Sequence, residues 1–180
     1  YAQNNSLKII GAGDYKTYYD ERFINLSPYE WVDLFRNAEK IITDNHWGLT
    51  PYSLLMEQFN CDRETVIRCL RSKDGYTQLD KDNYSIAYND DPALGDRKRL
   101  TLMHEIGHIY LNHLVDFDIT LLYRGSLSHD ENKVLENEAN AFARNVLAPI
   151  SLVRQLKDKA PENISSKFGI TYYAANTRLD

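Results

Sequence analysis

The chain has 180 residues, 43% of them hydrophobic and 26% charged, a composition typical of one compact globular domain. Its net charge of −5 and pI near 5.5 argue against a broad basic surface for nucleic acid or an anionic membrane. No apolar run approaches the roughly 20 residues of a membrane span, and no basic stretch precedes an apolar signal core. We therefore expect a cytoplasmic protein in which Cys61 and Cys69 are reduced thiols.

The first part of the chain predicts an irregular lead-in followed by a helix. Residues 1–27 show no sustained period. Ser27, Pro28 and Glu30 then form a capping pattern, in which serine caps the helix and glutamate completes the box three residues later. Apolar residues recur at helical spacing from there to Ile42, which predicts an amphipathic helix.

The next segment predicts a second helix and a small sheet. Thr50 as cap and Pro51 in the first turn predict a short helix in "PYSLLMEQF". The segments "ETVIRCLR", "GYTQL" and "NYSIAYN" are rich in strand-forming residues and are separated by the turn sequences "SKDG" and "DKDN". They predict two hairpins in an antiparallel sheet over about residues 64–89.

The rest of the chain is predicted to be helical. A helical pattern runs from Arg97 to about Leu114, and "ENKVLENEANAFARNVLA" is a strongly periodic helix that Pro149 ends. The fold class is thus α+β, a mainly helical domain over residues 28–150 with a small antiparallel sheet, followed by short helices over 151–180.

The segment "HEIGHIYLNH" carries the chemistry of the chain. His104 and His108 lie one helical turn apart and about 40° apart in projection, so they can hold one ion, and neutral imidazoles suit Zn²⁺. Glu105 points off the pair, which favours contact with a water on the metal over direct ligation. An HExxH pattern also arises by chance, but its apolar flanks indicate a buried helix, where unpartnered polar groups would cost several kcal/mol. On a continuous helix His113 projects about 140° and 180° away from the two histidines, so we expect it at the helix end, facing the dipole.

A third ligand is needed if the ion is to keep one position for water. On the later helix, Glu136 is the only acid on the inward face, whereas Glu138 projects toward Asn145 and the polar side. Glu136 is the predicted ligand, with Glu138 and Glu131 as alternatives. Asn140, one turn further on, could orient one of the histidines by a hydrogen bond. The competing interpretation of Glu136 is an acid that the helix dipole favours near the N-terminus.

These motifs resemble a known family. "RLTLMHEIGHIYLNH" followed by "ENEANAFARNVLAP" is similar to the ImmA/IrrE family of zinc-dependent metallopeptidases, in which a helix of the form ExxAnxFAxxLLxP follows the HExxH helix. "DGYTQLDKDNYSIAYND" resembles the family's hairpin, and "ISSKFGITYYAANTRL" resembles its C-terminal ending, so the resemblance covers about residues 38–180. Val146 and Ala148 depart from the pattern without touching the predicted ligands. The resemblance implies a zincin-like domain with a glutamate as third ligand.

The ligand set implies a zinc endopeptidase in which Glu105 is the general base. His129 or one of the thirteen tyrosines could stabilise the oxyanion. A substrate would lie extended along "YSIAYN" and add itself to the sheet edge. The resemblance further implies that the substrate is a helix-turn-helix repressor of a mobile element or a stress response.

Other functions remain open at the level of sequence. One is a regulatory DNA- or protein-binding module whose zinc site is structural or latent, and another is a toxin-like or sensor component with a latent site. "NISSKFGITYYAANTRL" scans as a helix-turn-helix in which Thr171 caps the second helix and Arg178 projects from it. One basic residue is too few to grip phosphates, so we favour packing of Ile170, Tyr173 and Leu179 on the core and expect no direct binding of nucleic acid.

Overall fold

The computed structural model describes residues 38–95, 97–116 and 128–178. The predicted lead-in 1–27 and the first part of the predicted helix, 28–37, lie outside the described residues. The elements in chain order are α1 (Ala38–Asp44), β1 (Gly48–Pro51), α2 (Tyr52–Phe59), α3 (Arg63–Leu70), β2 (Gly75–Asp80), β3 (Asn83–Tyr88), a 3₁₀ helix (Pro92–Leu94), α4 (Arg97–Tyr110), α5 (His113–Asp116), α6 (His129–Leu147), α7 (Ile150–Arg154), α8 (Pro161–Phe168) and α9 (Tyr172–Asn176). The described part is a mainly helical α+β fold, as predicted, and none of its helices is long and apolar enough to cross a bilayer.

The small sheet precedes the HExxH helix as predicted, but it is mixed instead of antiparallel. Its strand order is β1-β3-β2, with β1 parallel to β3 and β2 antiparallel to it. Within residues 64–89, all of which the structure describes, only one hairpin forms, because "ETVIRCLR" is the helix α3 and not a strand. The Asp62 carboxylate caps this helix by accepting a hydrogen bond from Thr65 N–H at 2.8 Å. This local cap outweighs the strand propensity of valine and isoleucine.

The start of α2 also differs from the prediction. Thr50 is not a cap, since it lies in β1 opposite Ala87 of β3. Pro51 is both the last residue of β1 and the N-cap of α2, and no side chain caps the helix. The strand therefore passes into the helix without a loop, and Tyr52, the first residue of α2, is fully buried.

The core lies between α4 and α6, and a glycine sets their spacing. Leu102, Met103 and Ile106 of α4 are at most 1% exposed, which confirms the predicted buried helix. A Cβ on Gly107 would lie 3.1 Å from Phe142 Cδ1 and 3.3 Å from the Cα of Ala139, both in α6. Because these contacts are already tight, glycine lets the two helices approach closely enough for their side chains to meet.

The HExxH helix ends earlier than predicted. Instead of running to about Leu114, α4 ends at Tyr110, and Asn112 adopts a left-handed conformation with φ 57°. The chain then turns into α5, which begins at His113. This turn invalidates the helical projection that assigned His113 to the helix end, because the residue does not continue the rotation of α4.

The C-terminal helices pack on the same core. Ile164, Phe168 and Ala174 belong to the buried cluster that includes α4 and α6, and Thr171 caps α9 by accepting from Ala174 N–H. Tyr173 does not pack on the core as expected, since it is 76% exposed. Leu179, which was also expected to pack there, lies outside the described residues.

Arg178 does not project toward solvent as the helix-turn-helix interpretation required. It is 2% exposed, and its Nε donates a hydrogen bond to the Ala148 carbonyl at 2.6 Å. The one basic side chain of "TYYAANTRLD" is therefore engaged in joining the tail to the end of α6, where it cannot contact a phosphate.

Candidate metal centre

The two histidines of the HExxH motif face the same point. Both lie on α4, and the His104 and His108 Nε2 atoms are 3.1 Å apart. The His108 side chain is 2% exposed and that of His104 16%. One helical turn thus brings two nitrogen donors together at the boundary between the core and solvent.

Helix α6 brings a carboxylate to the same point. Glu136 Oε2 lies 3.4 Å from His104 Nε2, and Glu136 Oε1 lies 4.0 Å from His108 Nε2. Among the described residues these three side chains form a group that could hold a metal, with donor atoms within 4.8 Å of one another. Metal bonds of about 2.0–2.1 Å in a tetrahedron give ligand–ligand distances of roughly 3.3–3.4 Å, so the observed spacing fits one ion.

The surroundings of His104 favour a cation. Asn140 Oδ1 lies 3.1 Å from His104 Nδ1 and can accept a hydrogen bond from an N–H on that nitrogen. His104 Nε2 would then keep its lone pair, with which it could bind a metal beside His108 and Glu136. Burial lowers the pKa of His104, but the hydrogen bond to Glu136 and the charges of Glu105 and Glu136 outweigh it and leave that pKa raised. The net effect of these carboxylates is a negative local potential, which attracts positive charge.

Glu105 is buried and held by the hairpin. Its side chain is 5% exposed, and its Oε2 accepts a hydrogen bond from the Thr77 hydroxyl of β2 at 2.6 Å. A Cβ on Gly75 would lie 2.9 Å from Glu105 Oε1, so only a glycine lets β2 come this close. Burial, and then the charge of Glu105, raise the pKa of Tyr52, which stays protonated and donates to the Ser72 carbonyl.

Two side chains were wrongly placed by the sequence. Glu138 does not face a polar side: it is 1% exposed, and its Oε2 lies 3.0 Å from His113 Nε2. His113, also 1% exposed, lies behind the group formed by His104, His108 and Glu136, with its Nδ1 2.9 Å from His108 Nδ1. The alternative ligand Glu131 forms a capping box with Ser128 at the start of α6. Neither Glu131 nor Glu138 belongs to the group that could hold an ion.

A cleft of about 720 Å³ opens onto the cluster. Its walls come from the edge strand β2, from α4 and α6, and from the start of α9; lining residues include Thr77, Glu105, Glu136 and Tyr172. The strand "YSIAYN" cannot offer an edge as predicted, because β3 is the central strand. His129, a candidate for the oxyanion, is exposed at the start of α6 and does not line the cleft.

A buried HExxH helix, an acid from a later helix aimed at the same point and a cleft above them define a metallopeptidase-type domain. The comparison with known families agrees with this class. The family model Peptidase M78, described as "IrrE N-terminal-like domain", matches residues 64–180. The chain belongs to this family, and the resemblance seen in its sequence is confirmed. No curated protein matches the chain.

Proposed function

We propose that this protein is a zinc endopeptidase that cleaves a protein regulator, and that the regulator is a helix-turn-helix repressor. The observation that carries the proposal is the convergence of His104, His108 and Glu136 in one cleft with the buried Glu105 beside them. Family membership supports a metal-dependent peptidase. The finer assignments, zinc and the regulator, rest on the donor chemistry and on the resemblance to the ImmA/IrrE family.

Zinc is the ion that this donor set suits best. Two imidazoles and one carboxylate are a common protein set for catalytic zinc, and they leave one position open. When bound, zinc activates water for attack and polarises the scissile carbonyl. His104, His108 and Glu136 would hold the ion, and Asn140 would orient His104 through its Nδ1.

Glu105 is assigned the role of general base. Glu105 is oriented through its Oε2, which accepts a hydrogen bond from the Thr77 hydroxyl. The carboxylate would take the proton of the attacking water and return it to the leaving amine. Burial of the carboxylate excludes bulk water that would otherwise compete for this proton.

The substrate would pair with β2 and not with β3. Asn89 N–H donates to the Asp74 carbonyl at 2.8 Å, which places residues 74 and 89 in a hydrogen-bonded pair just before the register Gly75↔Tyr88. Hydrogen-bonded and non-hydrogen-bonded pairs alternate in an antiparallel ladder, so Thr77 and Leu79 belong to non-hydrogen-bonded pairs with β3. Their backbone N–H and C=O groups therefore point to the outer edge of β2. An extended, flexible segment of another protein could add to this edge beside Glu105.

The test is cleavage of a defined candidate. Purified zinc-loaded protein is incubated with the helix-turn-helix repressor encoded nearest to its own gene, and products are followed by intact-protein mass spectrometry. We expect cleavage by the parent and by Glu57→Gln, a matched change of an exposed glutamate outside the cleft. Glu105→Gln should bind zinc and fold normally but lose cleavage.

Two outcomes would contradict the proposal. Cleavage by Glu105→Gln at the parental rate would remove Glu105 from the mechanism, because an amide cannot accept the proton of water. Retention of DNA by the parent at physiological salt, without cleavage of the repressor, would instead favour the regulatory binding module.

A further inference from the structure

Two buried ionisable side chains behind the cluster have no part in the function proposed above. His113 begins α5, Glu138 lies in α6, and each is only 1% exposed. They form a chain of contacts toward a predicted ligand: Glu138 Oε2 to His113 Nε2 at 3.0 Å, and His113 Nδ1 to His108 Nδ1 at 2.9 Å. This series of contacts therefore ends at Nδ1 of His108, the ring nitrogen that faces away from Glu136.

The directions of these hydrogen bonds follow from their ends. A carboxylate only accepts, so the His113 nitrogen that contacts Glu138 must carry the hydrogen. In a neutral imidazole the other nitrogen, His113 Nδ1, is then an acceptor. Its partner, His108 Nδ1, must donate. The remaining nitrogen of His108, Nε2, is left with its lone pair directed to the cluster that contains Glu136.

We propose that His113 and Glu138 are positioning residues that fix His108 as the Nδ1–H tautomer and so prepare its Nε2 to bind the metal. The inference rests on the proposed function for the identity of the ion, but its core claim concerns the metal-free protein. Partners that orient a histidine ligand through its second nitrogen act in this way at many metal sites, usually in one step. Here a second imidazole extends the contact to a carboxylate on another helix.

A purely stabilising role fits the pair less well. Within the described part of the chain, Glu138 Oε1 is buried and has no hydrogen-bond partner. Burying a carboxylate with one oxygen unsatisfied is costly, and buried ion pairs often contribute no more stability than apolar residues of the same size. The cost is explained if the carboxylate is there to orient His113.

The decisive experiment combines tautomer and affinity. Long-range ¹H–¹⁵N NMR of the metal-free protein identifies which ring nitrogen of each histidine carries hydrogen, and competition with a chromophoric chelator gives the zinc dissociation constant. The variants are His113→Asn, which keeps an acceptor near the Nδ1 position, and the double variant His113→Leu/Glu138→Met. The double variant removes both polar groups and so avoids leaving a lone buried charge that would prevent folding.

A matched control lies on the same helix. Asn145 is 2% exposed, and neither its Oδ1 nor its Nδ2 has a hydrogen-bond partner in the described part of the chain. Asn145→Ala is therefore an equally buried change in α6 that does not interrupt the contacts to His108. It measures how far disturbance of the core alone weakens zinc binding.

We expect His108 to be the Nδ1–H tautomer in the parent. Zinc binding should weaken about 10- to 100-fold in the folded double variant, much less in His113→Asn, and not in Asn145→Ala. Parental affinity in the double variant, equal losses in Asn145→Ala, or an Nε2–H tautomer in the parent would each overturn the proposal. A parent that binds no zinc would refute the proposed function, and the inference would then be judged by the tautomer alone.

Discussion

Replacing Gly75 with alanine should separate catalysis from stability. The added Cβ would lie 2.7 Å from Thr101 Cγ2 and 2.9 Å from Glu105 Oε1. Carbon atoms normally pack at about 3.5–4.0 Å, so the contact with Thr101 requires a shift of roughly 0.8 Å or more, and the contact with Glu105 Oε1 is also too short to persist. Thr101 is β-branched on a packed helix, and Glu105 is held by Thr77 through its other oxygen. We expect the Glu105 carboxylate to be displaced.

The expected magnitudes differ for the two properties. Alanine in a strand gains about 0.5–1 kcal/mol over glycine, whereas overpacking costs about 1–3 kcal/mol, so the net loss of stability is at most about 2.5 kcal/mol. Misplacing a catalytic group by about 1 Å can cost roughly 100-fold in rate. The turnover of Gly75→Ala should therefore fall about 10- to 100-fold, with zinc affinity unchanged, because no predicted ligand is among the atoms nearest the new carbon.

The assay measures kcat on the cleaved segment of the repressor, the zinc dissociation constant by chelator competition and the melting temperature. Gly75→Ala/Thr101→Ser is the matched control, since serine lacks the Cγ2 methyl that the new carbon meets first. It should recover part of the lost turnover. Parental kcat in Gly75→Ala would refute the reasoning that the close approach of β2 positions Glu105.

Three further results are expected. Gly107→Ala should lower the free energy of unfolding by about 1 kcal/mol and weaken zinc binding, because the new carbon presses α6, which carries Glu136, away from α4; unchanged zinc affinity would contradict this. In free zinc at about 100 times the dissociation constant, removal of the ion with a chelator should lower the melting temperature of the protein by about 5–10 °C, and zinc alone should restore it. No shift would mean that the folded state binds no ion. Burial raises the pKa of Asp90, but hydrogen bonds from Ser53 N–H and Arg63 outweigh it and hold that pKa low. Its contribution to stability should be full above the unfolded pKa of about 4 and be lost as pH falls through the lowered value. Asp90→Asn should weaken this acid dependence in denaturation at pH 2–6, and an identical pH profile would count against it.

The convergence of His104, His108 and Glu136 was predictable from the sequence because helical periodicity is a local property. Spacing alone placed His104 and His108 one turn apart, and the inward face of the later helix selected Glu136. Their convergence needed only that two apolar faces pack on each other. The small residue Gly107 at that contact allows the packing to be close.

The pair behind His108 was not predictable in the same way. Its position depends on the left-handed turn at Asn112, and a non-glycine residue gives only a weak signal for such a turn. Glu138 was assigned to a solvent-facing side of α6, but Ala141 and Asn145 on that side are buried as well. The more exposed face of α6 instead carries Lys133, Asn137, Asn140 and Arg144, so the polar character of a residue did not identify the side that faces solvent.

The strand order of the sheet was not predictable from the sequence either. Periodicity and turn residues identified β2 and β3, but strand order depends on pairing between distant segments, which a local pattern does not encode. The parallel strand β1 was hidden in "GLTP", and its pairing makes β3 central. The sequence placed the substrate along β3, and the proposed substrate edge is β2 instead.

The division of the ligands between two helices has a consequence for the life of the protein in a cell. An ion held by α4 and α6 together joins segments that are distant along the chain, and only the folded chain brings all three ligands together. If the ion is zinc, as proposed, molecules made during zinc scarcity would open more often and be degraded sooner by housekeeping proteases. The abundance of the protein would then follow the supply of the metal.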